Sequence, residues 1–287
     1  MNKLIRLVVM TFALALASMP VHAADATGVY SLVDGDARAL RGTTWFRLVA
    51  GTRVLEGDVI DVSEHAQIQL ELKDGGTLNA QGPALMYATA IPPVDGKPGA
   101  VAELIVQHGW LKAAGKGPRP LRVRMPMMTA TVGDAVIVAS CDARHAEVFV
   151  ESGTATVASS RGKEPPQNVA GGEFVSRNDE QKPTVASRPP PAFLAALPRQ
   201  FRDPLPALAS RFPAAPEALV KVSEVSFAEA EPWLAGTTRK AFVRRLSPRL
   251  SDPAFRAAVA AHPAAFPEWD RMLHPEKYRP KEVSDTK

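Results

Sequence analysis

The fold is decided by residues 66–73, which read AQIQLELK. Ile68, Leu70 and Leu72 alternate with polar residues, and strict alternation is typical of a β-strand with one buried face. The polar side chains, which this pattern predicts to face water, are Gln67, Gln69, Glu71 and Lys73. Asp74-Gly75-Gly76 follows and favours a tight hairpin, because glycine tolerates the positive φ angles that such turns need.

The same strand–turn–strand pattern recurs further along the chain. Residues 102–109 and 146–153 share Ala, Glu, Val and Gly at an offset of 44 positions. No helix of ten or more residues is indicated before Arg188. The regular spacing of turns predicts a mainly β fold (an antiparallel sandwich, a jelly roll or a β-helix-like stack), followed by a smaller α-helical C-terminal region.

The composition changes along the chain and predicts its domain organisation. The 287 residues include 26 prolines, nearly twice the usual share of ~5%, which argues against an all-helical bundle. We expect an all-β domain over residues 24–178, a Pro-rich linker over residues 179–196 and a helical accessory region over residues 197–287. Pro189-Pro190-Pro191 in the linker favours an extended conformation.

Helix signals appear only in the C-terminal region. Asp252-Pro253 predicts a helix start, because the Asp side chain caps a backbone N–H and proline suits the first helical position. A second helix is predicted over residues 237–246, with Phe242 and Leu246 on the apolar face. Its opposite face carries Arg239, Lys240, Arg244 and Arg245. A last apolar cluster is formed by Phe266, Trp269, Met272 and Leu273.

Residues 1–23 have the pattern of a secretory signal peptide. Lys3 and Arg6 precede an apolar run over residues 7–17, and small residues lead up to Ala23. The apolar run would span only about 16 Å as a helix, against a hydrocarbon core of ~30 Å. We therefore expect cleavage near Ala23, export to the periplasm and a mature chain without a membrane span.

Charge and cysteine content exclude several classes of protein. The formal net charge is +4, with 34 basic and 30 acidic residues, and this near balance does not predict a nucleic-acid partner. Cys141 is the only cysteine. An internal disulfide framework and a cysteine-based zinc site are therefore impossible.

Several segments, taken in order, resemble the FecR domain family of bacterial envelope proteins. They are residues 55–60 (LEGDVI), 66–76 (AQIQLELKDGG), 104–112 (LIVQHGWLK), 147–157 (EVFVESGTATV) and 169–173 (VAGGE). The resemblance covers about residues 45–178.

The resemblance implies an all-β periplasmic domain. The best-known members are inner-membrane regulators that carry a signal from an outer-membrane siderophore receptor to a cytoplasmic sigma factor. This sequence departs from them, because it shows neither a cytoplasmic sigma-binding region nor a spanning helix. The tail from Leu197 to Tyr278 resembles the accessory tail of signal-peptide-bearing members.

One short segment brings together side chains of catalytic and metal-binding types. Cys141 as nucleophile with His145 as base is one hypothesis, and metal binding by His145 and Asp142 is another. Each lacks a third group at a recognisable spacing, and the favoured interpretation of a single exported thiol is a half-buried small hydrophobic side chain. We accordingly predict no catalytic, cofactor-binding or metal-binding residue and no cofactor.

Other motifs also have two interpretations each. Asp74-Gly75-Gly76 favours a hairpin over a calcium loop, and Gly171-Gly172 favours a turn over a phosphate-binding loop. A solvated strand face is favoured over binding of an anionic partner for three arginines: Arg119, Arg122 and Arg124. Trp233 and Trp269 could anchor a partner, although core packing is the favoured interpretation.

The sequence therefore favours a non-enzymatic exported protein that binds another cell-envelope component, an unidentified protein or polymer, through an exposed strand edge. An accessory role in envelope or iron-responsive signalling is the alternative, which a neighbouring sigma-factor or receptor gene would favour. A third hypothesis is a cell-wall hydrolase with Asp58 and Asp61 as catalysts. The partner and the oligomeric state stay open.

Overall fold

The computed structural model describes residues 28–73, 76–91, 100–116, 119–179, 181–212 and 218–278. The predicted signal peptide, residues 1–23, lies outside the described residues. So do Asp74 and Gly75 of the predicted hairpin turn. The strands on either side of that turn are described and pair with each other in antiparallel fashion.

The fold is mainly β with a smaller helical C-terminal region, as the sequence predicts. The strands are β1 Gly28–Asp34, β2 Ala37–Arg41, β3 Thr44–Arg47, β4 Val59–Val62, β5 Gln67–Leu72, β6 Thr77–Ala90, β7 Ala102–Gly115, β8 Leu121–Arg124, β9 Met128–Cys141, β10 His145–Ser159, β11 Gln167–Ala170, β12 Phe174–Asn178, β13 Thr184–Ala186 and β14 Lys221–Glu224. The α-helices are α1 Pro191–Ala196, α2 Phe227–Ala230, α3 Arg239–Leu246, α4 Pro253–Ala260 and α5 Pro267–Leu273. Within the described residues, short 3-10 helices lie at Arg199–Arg202, Ala209–Arg211, Glu231–Trp233, Gly236–Thr238, Ser247–Ser251, Pro263–Ala265 and Pro275–Tyr278.

All described strands belong to one mixed sheet that folds back on itself. Four long strands, β6, β7, β9 and β10, each contribute to two half-sheets. In the first half-sheet the order is β1, β5, β6, β7, β9, β10, β12 and β13. In the second it is β14, β3, β2, β4, β6, β7, β8, β9, β10 and β11. The pairing of β7 with β8 is parallel, and the other described strand pairs are antiparallel.

Two glycines mark the place where β6 and β7 pass from one half-sheet to the other. A Cβ atom on Gly82 would lie 1.8 Å from the carbonyl oxygen of Ser63. Gly109 has φ +122°, and a Cβ there would lie 2.5 Å from the Cβ of Ala84. The register between the two strands shifts at this point. Only glycine fits such close backbone approaches, so these positions permit the bend.

The inner faces of both half-sheets form one apolar core. Ile68, Leu70 and Leu72 lie in it, with exposures of 0%, 1% and 8%, which confirms the buried face predicted for β5. The prediction that the opposite face meets water is wrong for Gln69 and Glu71, which are also buried. A later segment of the chain covers them.

This covering segment, residues 191–212, is called the strap. It crosses the outer face of the first half-sheet. Phe193 in α1 packs against Trp110 and Phe174, with ring centroids 5.1 Å and 5.0 Å apart. Phe201 is fully buried beside Val138. Residues 179–196, predicted as a linker, thus contain β13 and α1, and the aromatic ring of α1 is anchored on the sheet.

The helical region, residues 226–278, packs against the outer face of the second half-sheet. The shared apolar cluster contains Leu40 and Trp45 from the sheet and Trp233, Phe242 and Trp269 from the helices. Both tryptophans of the C-terminal region are fully buried, which confirms the core-packing interpretation. Among the described residues, no helix has the length and apolar character that crossing a membrane requires.

Local helix signals were more reliable than the predicted helix faces. Asp252 caps α4 by accepting a hydrogen bond from the Phe255 amide at 2.9 Å, as predicted. Met272, predicted to be part of the last apolar cluster, is 54% exposed. Arg245, predicted on a polar face, is half-buried and donates hydrogen bonds to the carbonyl oxygens of Leu40, Gly42 and Gly57.

Candidate functional site

The outer surface of the sheet is covered unevenly. The strap covers the first half-sheet, and the helical region covers the second half-sheet from β14 to β7. Strands β8 to β11 keep outward side chains that are partly exposed. There the structure forms a groove of about 430 Å³. It is lined by Glu103, Arg122, Arg124, Thr129, Thr131, Thr156, Ala158 and Pro166.

Alternating burial places the polar side chains of the groove. On β8, Leu121 and Val123 point into the core, so Arg122 and Arg124 point outward. The same alternation on β9 and β10 turns three threonines outward: Thr129, Thr131 and Thr156. The groove is therefore a direct product of the period-two pattern of three neighbouring strands.

Glu103 of β7 lies at one wall of the groove and pairs with both arginines. Its carboxylate is 3.4 Å from Arg122 Nη1 and 3.2 Å from Arg124 Nη1, and it accepts a hydrogen bond from Thr89. Burial by itself would raise the pKa of Glu103, but the hydrogen bonds from Arg124, Thr89 and Arg122 outweigh it and lower the pKa. Two guanidinium groups thus share one carboxylate, and one positive charge is left over.

The two arginine side chains keep donors available to a ligand. Arg122 is 42% exposed and Arg124 is 36% exposed. Planar guanidinium groups bind carboxylates and phosphates through paired hydrogen bonds. Glu103 is the carboxylate among the residues that line the groove, and it is held by both arginines. The geometry therefore suits recognition of an anionic group.

The groove has defined borders. Arg124 Nη2 lies 3.4 Å from Thr237 Oγ1 of the helical region. At the other side, Thr129 and Ser160 hydroxyls are 3.3 Å apart, and Thr156 donates to Asn168 Oδ1. The sequence singled out Arg122 and Arg124 but missed Glu103 and the threonines. The alternation in residues 128–132 (MTATV) was the available signal for the threonine row.

The residues that follow Cys141, the cysteine considered above as a nucleophile, form a turn. Asp142 Oδ1 accepts hydrogen bonds from the amides of Arg144 and His145 at 2.7 Å and 2.9 Å, which is the side-chain-to-backbone bonding of an Asx-type turn. The His145 ring lies 3.2 Å from the same carboxylate and is exposed. Cys141 points the other way, into the core, where its Sγ lies 3.8 Å from the Val106 carbonyl oxygen.

We expect the Cys141 thiol to resist alkylation until the protein unfolds. Burial, and secondarily the charge of Asp142, raise the pKa of Cys141 to about 12, and only the thiolate is a nucleophile. Iodoacetamide labelling of the native protein should stay slow between about pH 7 and pH 9, whereas the unfolded thiol, with a pKa near 8.5, should label faster as pH rises. Because the chain has one cysteine, intact mass reports this residue alone. Rapid labelling of native protein at about pH 8 would contradict the burial.

Asp58 and Asp61, the candidate hydrolase pair, are both held by arginines. Asp58 is 1% exposed and accepts two hydrogen bonds of 2.8 Å from Arg41. Asp61 pairs with Arg38 at 2.8 Å. Neither carboxylate faces the groove. A polymer substrate has no access to the buried Asp58, so the structure gives this pair no catalytic geometry.

The other motifs considered in the sequence analysis do not form a binding site in the described residues. Gly171-Gly172 forms the turn between β11 and β12, with Gly172 at φ +93°, as predicted. Arg119 precedes β8 and is not among the residues that line the groove. Among the described residues, no group of three or more His, Cys, Asp or Glu side chains is placed to hold a metal ion.

Comparison with known proteins gives little. No family model matches the chain, and no curated protein matches it. Two crystal structures of a Parabacteroides distasonis protein, described as a "putative anti-sigma factor", are similar at 16% and 15% identity, each with a TM-score of 0.38. The similarity covers 45% of this chain and 59% of that one. At this TM-score the likeness supports no argument about function.

Proposed function

We propose that this chain is an exported, non-enzymatic protein of FecR type that binds another cell-envelope component in the periplasm. The binding site is the groove on β8 to β11. The partner is a protein or polymer that presents carboxylate or phosphate groups. Accessory signalling would be one case of this function, in which the bound partner is a regulator.

The FecR resemblance is supported by where its segments lie. Residues 66–76 include β5, residues 104–112 lie within β7, and residues 147–157 lie within β10. Residues 169–173 include the turn after β11. The quoted segments thus fall on strands and turns of one continuous sheet.

The observation that carries the binding function is the pair of exposed arginines beside a row of threonines. The strap lies over β5 to β7 and the helical region covers the second half-sheet from β14 to β7, whereas the groove on β8 to β11 is open. Its excess positive charge favours an acidic partner, because charge complementarity guides association and selects partners.

Crosslinking in intact cells tests this function. A photoreactive amino acid at Thr131 is expected to capture a specific envelope component, and Arg122→Gln with Arg124→Gln is expected to reduce the yield at least tenfold, about 1.4 kcal/mol of binding free energy. Each substitution removes a charged donor from the groove.

The matched control is Arg144→Gln, which removes an exposed arginine in the turn between β9 and β10. That turn lies at the far end of β9 from Thr131. The control should leave the yield unchanged. Equal yields from all three proteins, or no captured component under several growth conditions, would count against the groove as a binding site.

A further inference from the structure

The strap follows a single cross-strand row of side chains. Gln69 of β5 is in register with Asn79 of β6, and Asn79 is in register with Lys112 of β7. All three side chains lie on the outer face of the first half-sheet, and all are more than nine-tenths buried. Polar side chains in such a position need hydrogen-bond partners, and the strap supplies three carbonyl acceptors to Gln69 and Lys112.

The row binds the strap through its backbone. Lys112 Nζ donates to the carbonyl oxygens of Phe201 and Asp203 at 2.8 Å and 3.0 Å. Its charge is balanced by Glu151 at 2.8 Å. Gln69 Nε2 donates to the Pro206 carbonyl oxygen at 2.6 Å. A surface that contacts main-chain groups in this way accepts an extended segment with little dependence on its sequence.

Glu71 extends the same surface at the C-terminal end of the strap. Its carboxylate accepts hydrogen bonds from the amides of Leu208 and Ala209 at 2.8 Å and 3.2 Å. Strands β5 and β7 thus offer donors to two stretches of strap carbonyls, and β5 also offers an acceptor to a pair of strap amides. Because the Lys112 donor and the Glu71 acceptor lie at different ends of the surface, an extended peptide can satisfy them in only one chain direction.

Two acceptors in the row are left without donors. Gln69 Oε1 and Asn79 Oδ1 are buried and accept no hydrogen bond from any described residue. The assignment of the Gln69 amide is fixed, because its Nε2 lies within bonding distance of three oxygen atoms. The strap segment beside Gln69 contains Pro204 and Pro206, and proline has no N–H to donate.

From these contacts we infer that the outer face of β5, β6 and β7 is a peptide-binding surface, and that the strap is a replaceable occupant of it. The ligand is an extended segment of a partner protein that has backbone N–H groups where the strap has Pro204 and Pro206. Such a segment brings N–H donors to the face on which the Gln69 and Asn79 side-chain oxygens lack a donor among the described residues. Because the prolines cannot donate hydrogen bonds, the strap binds this face less tightly than such a segment would, and the segment can replace it.

The strap competes from within the same chain. A tethered occupant has a high effective concentration, commonly in the millimolar range for short flexible linkers, so a free ligand with equal contacts binds weakly. Phe201, buried against Val138, is the apolar anchor of the strap. Weakening this anchor should raise the apparent affinity for a free peptide without altering the polar row.

Dye-labelled peptides and the full chain test the inference. One peptide has the sequence of residues 199–211, RQFRDPLPALASR, and the second carries Pro204→Ala and Pro206→Ala. Fluorescence anisotropy should show that the Phe201→Ala protein binds the first peptide at least tenfold more tightly than the wild type does. The second peptide should bind at least fivefold more tightly than the first. Lys112→Met in the Phe201→Ala protein should weaken both at least tenfold.

Hydrogen exchange on the wild-type chain provides a measurement that does not need the Phe201→Ala protein to fold. With the second peptide in large excess, the backbone N–H groups of residues 199–209, apart from the two prolines, should exchange at least tenfold faster because the strap has been displaced. Unchanged exchange at the highest peptide concentration would overturn the inference. So would a folded Phe201→Ala protein that binds neither peptide, or that binds the proline peptide as tightly as the alanine peptide.

Discussion

Replacing Trp233 by alanine is expected to lower the free energy of unfolding by about 3–5 kcal/mol, the range for large aromatic truncations in a core. Trp233 is fully buried, stacks on Phe242 with ring centroids 5.4 Å apart and meets the edge of Tyr87 at 5.7 Å. These contacts hold the helical region on the second half-sheet. Urea unfolding followed by tryptophan fluorescence and by far-ultraviolet circular dichroism measures the loss.

Two control substitutions separate packing from other effects. Trp233→Phe keeps most of the ring contact, and Trp233 Nε1 has no hydrogen-bond partner among the described residues. This change should therefore lower the free energy of unfolding much less than Trp233→Ala does. Met272→Ala alters an exposed apolar side chain in the same region and should stay within about 0.5 kcal/mol of the wild type. If Trp233→Ala were as stable as Met272→Ala, the docking of the helical region would be wrong.

Removing the Asp58 carboxylate should be almost as damaging, although it is a single polar side chain. Asp58 accepts from Arg41 twice, from the Leu55 amide at 3.1 Å and from the Tyr30 hydroxyl at 3.3 Å. Asp58→Ala leaves the Arg41 charge without its partner, and breaking a buried pair from one side costs about 3–5 kcal/mol. Thermal and urea unfolding give the change.

Asp61→Ala is the matched control, three positions along the chain. Asp61 pairs with Arg38, and both side chains are 29% exposed. Ion pairs at such exposure contribute about 0–1 kcal/mol because water and salt screen them. Asp58→Ala and Asp61→Ala proteins of equal stability would show that the Arg41–Asp58 pair is not structurally important.

The sequence predicts best those features that neighbouring residues determine. The alternation in β5 correctly identifies Ile68 and Leu70 as core residues, and Asp252-Pro253 correctly marks the start of α4. Both signals are local, because burial alternates along one strand and a cap bonds to an amide three residues away.

Features set by distant residues were predicted wrongly or missed. Gln69 and Glu71 look solvated in the sequence, but the strap that covers them lies about 137 residues further along the chain. Arg245 looks like part of a charged helix face, yet its acceptors belong to turns near β2 and β4. The candidate groove was not predicted, because Arg122 and Arg124 were interpreted as a solvated strand face and Glu103 joins them only when β7 and β8 pair.

The edge pairing of β14 with β3 has a consequence for how the chain reaches its native state. Thr43 and Thr44 bond to Glu224 across 181 and 180 positions, and Trp45 is sealed by residues that follow β14. A nascent chain that ends before residue 218 therefore leaves the Trp45 side chain and its apolar neighbours exposed to water. Such distant pairings form slowly, because the chain loses the entropy of closing a long loop before the new contacts contribute any stability. Completion of folding thus waits for the last quarter of the polypeptide to emerge, and prematurely terminated products are expected to aggregate.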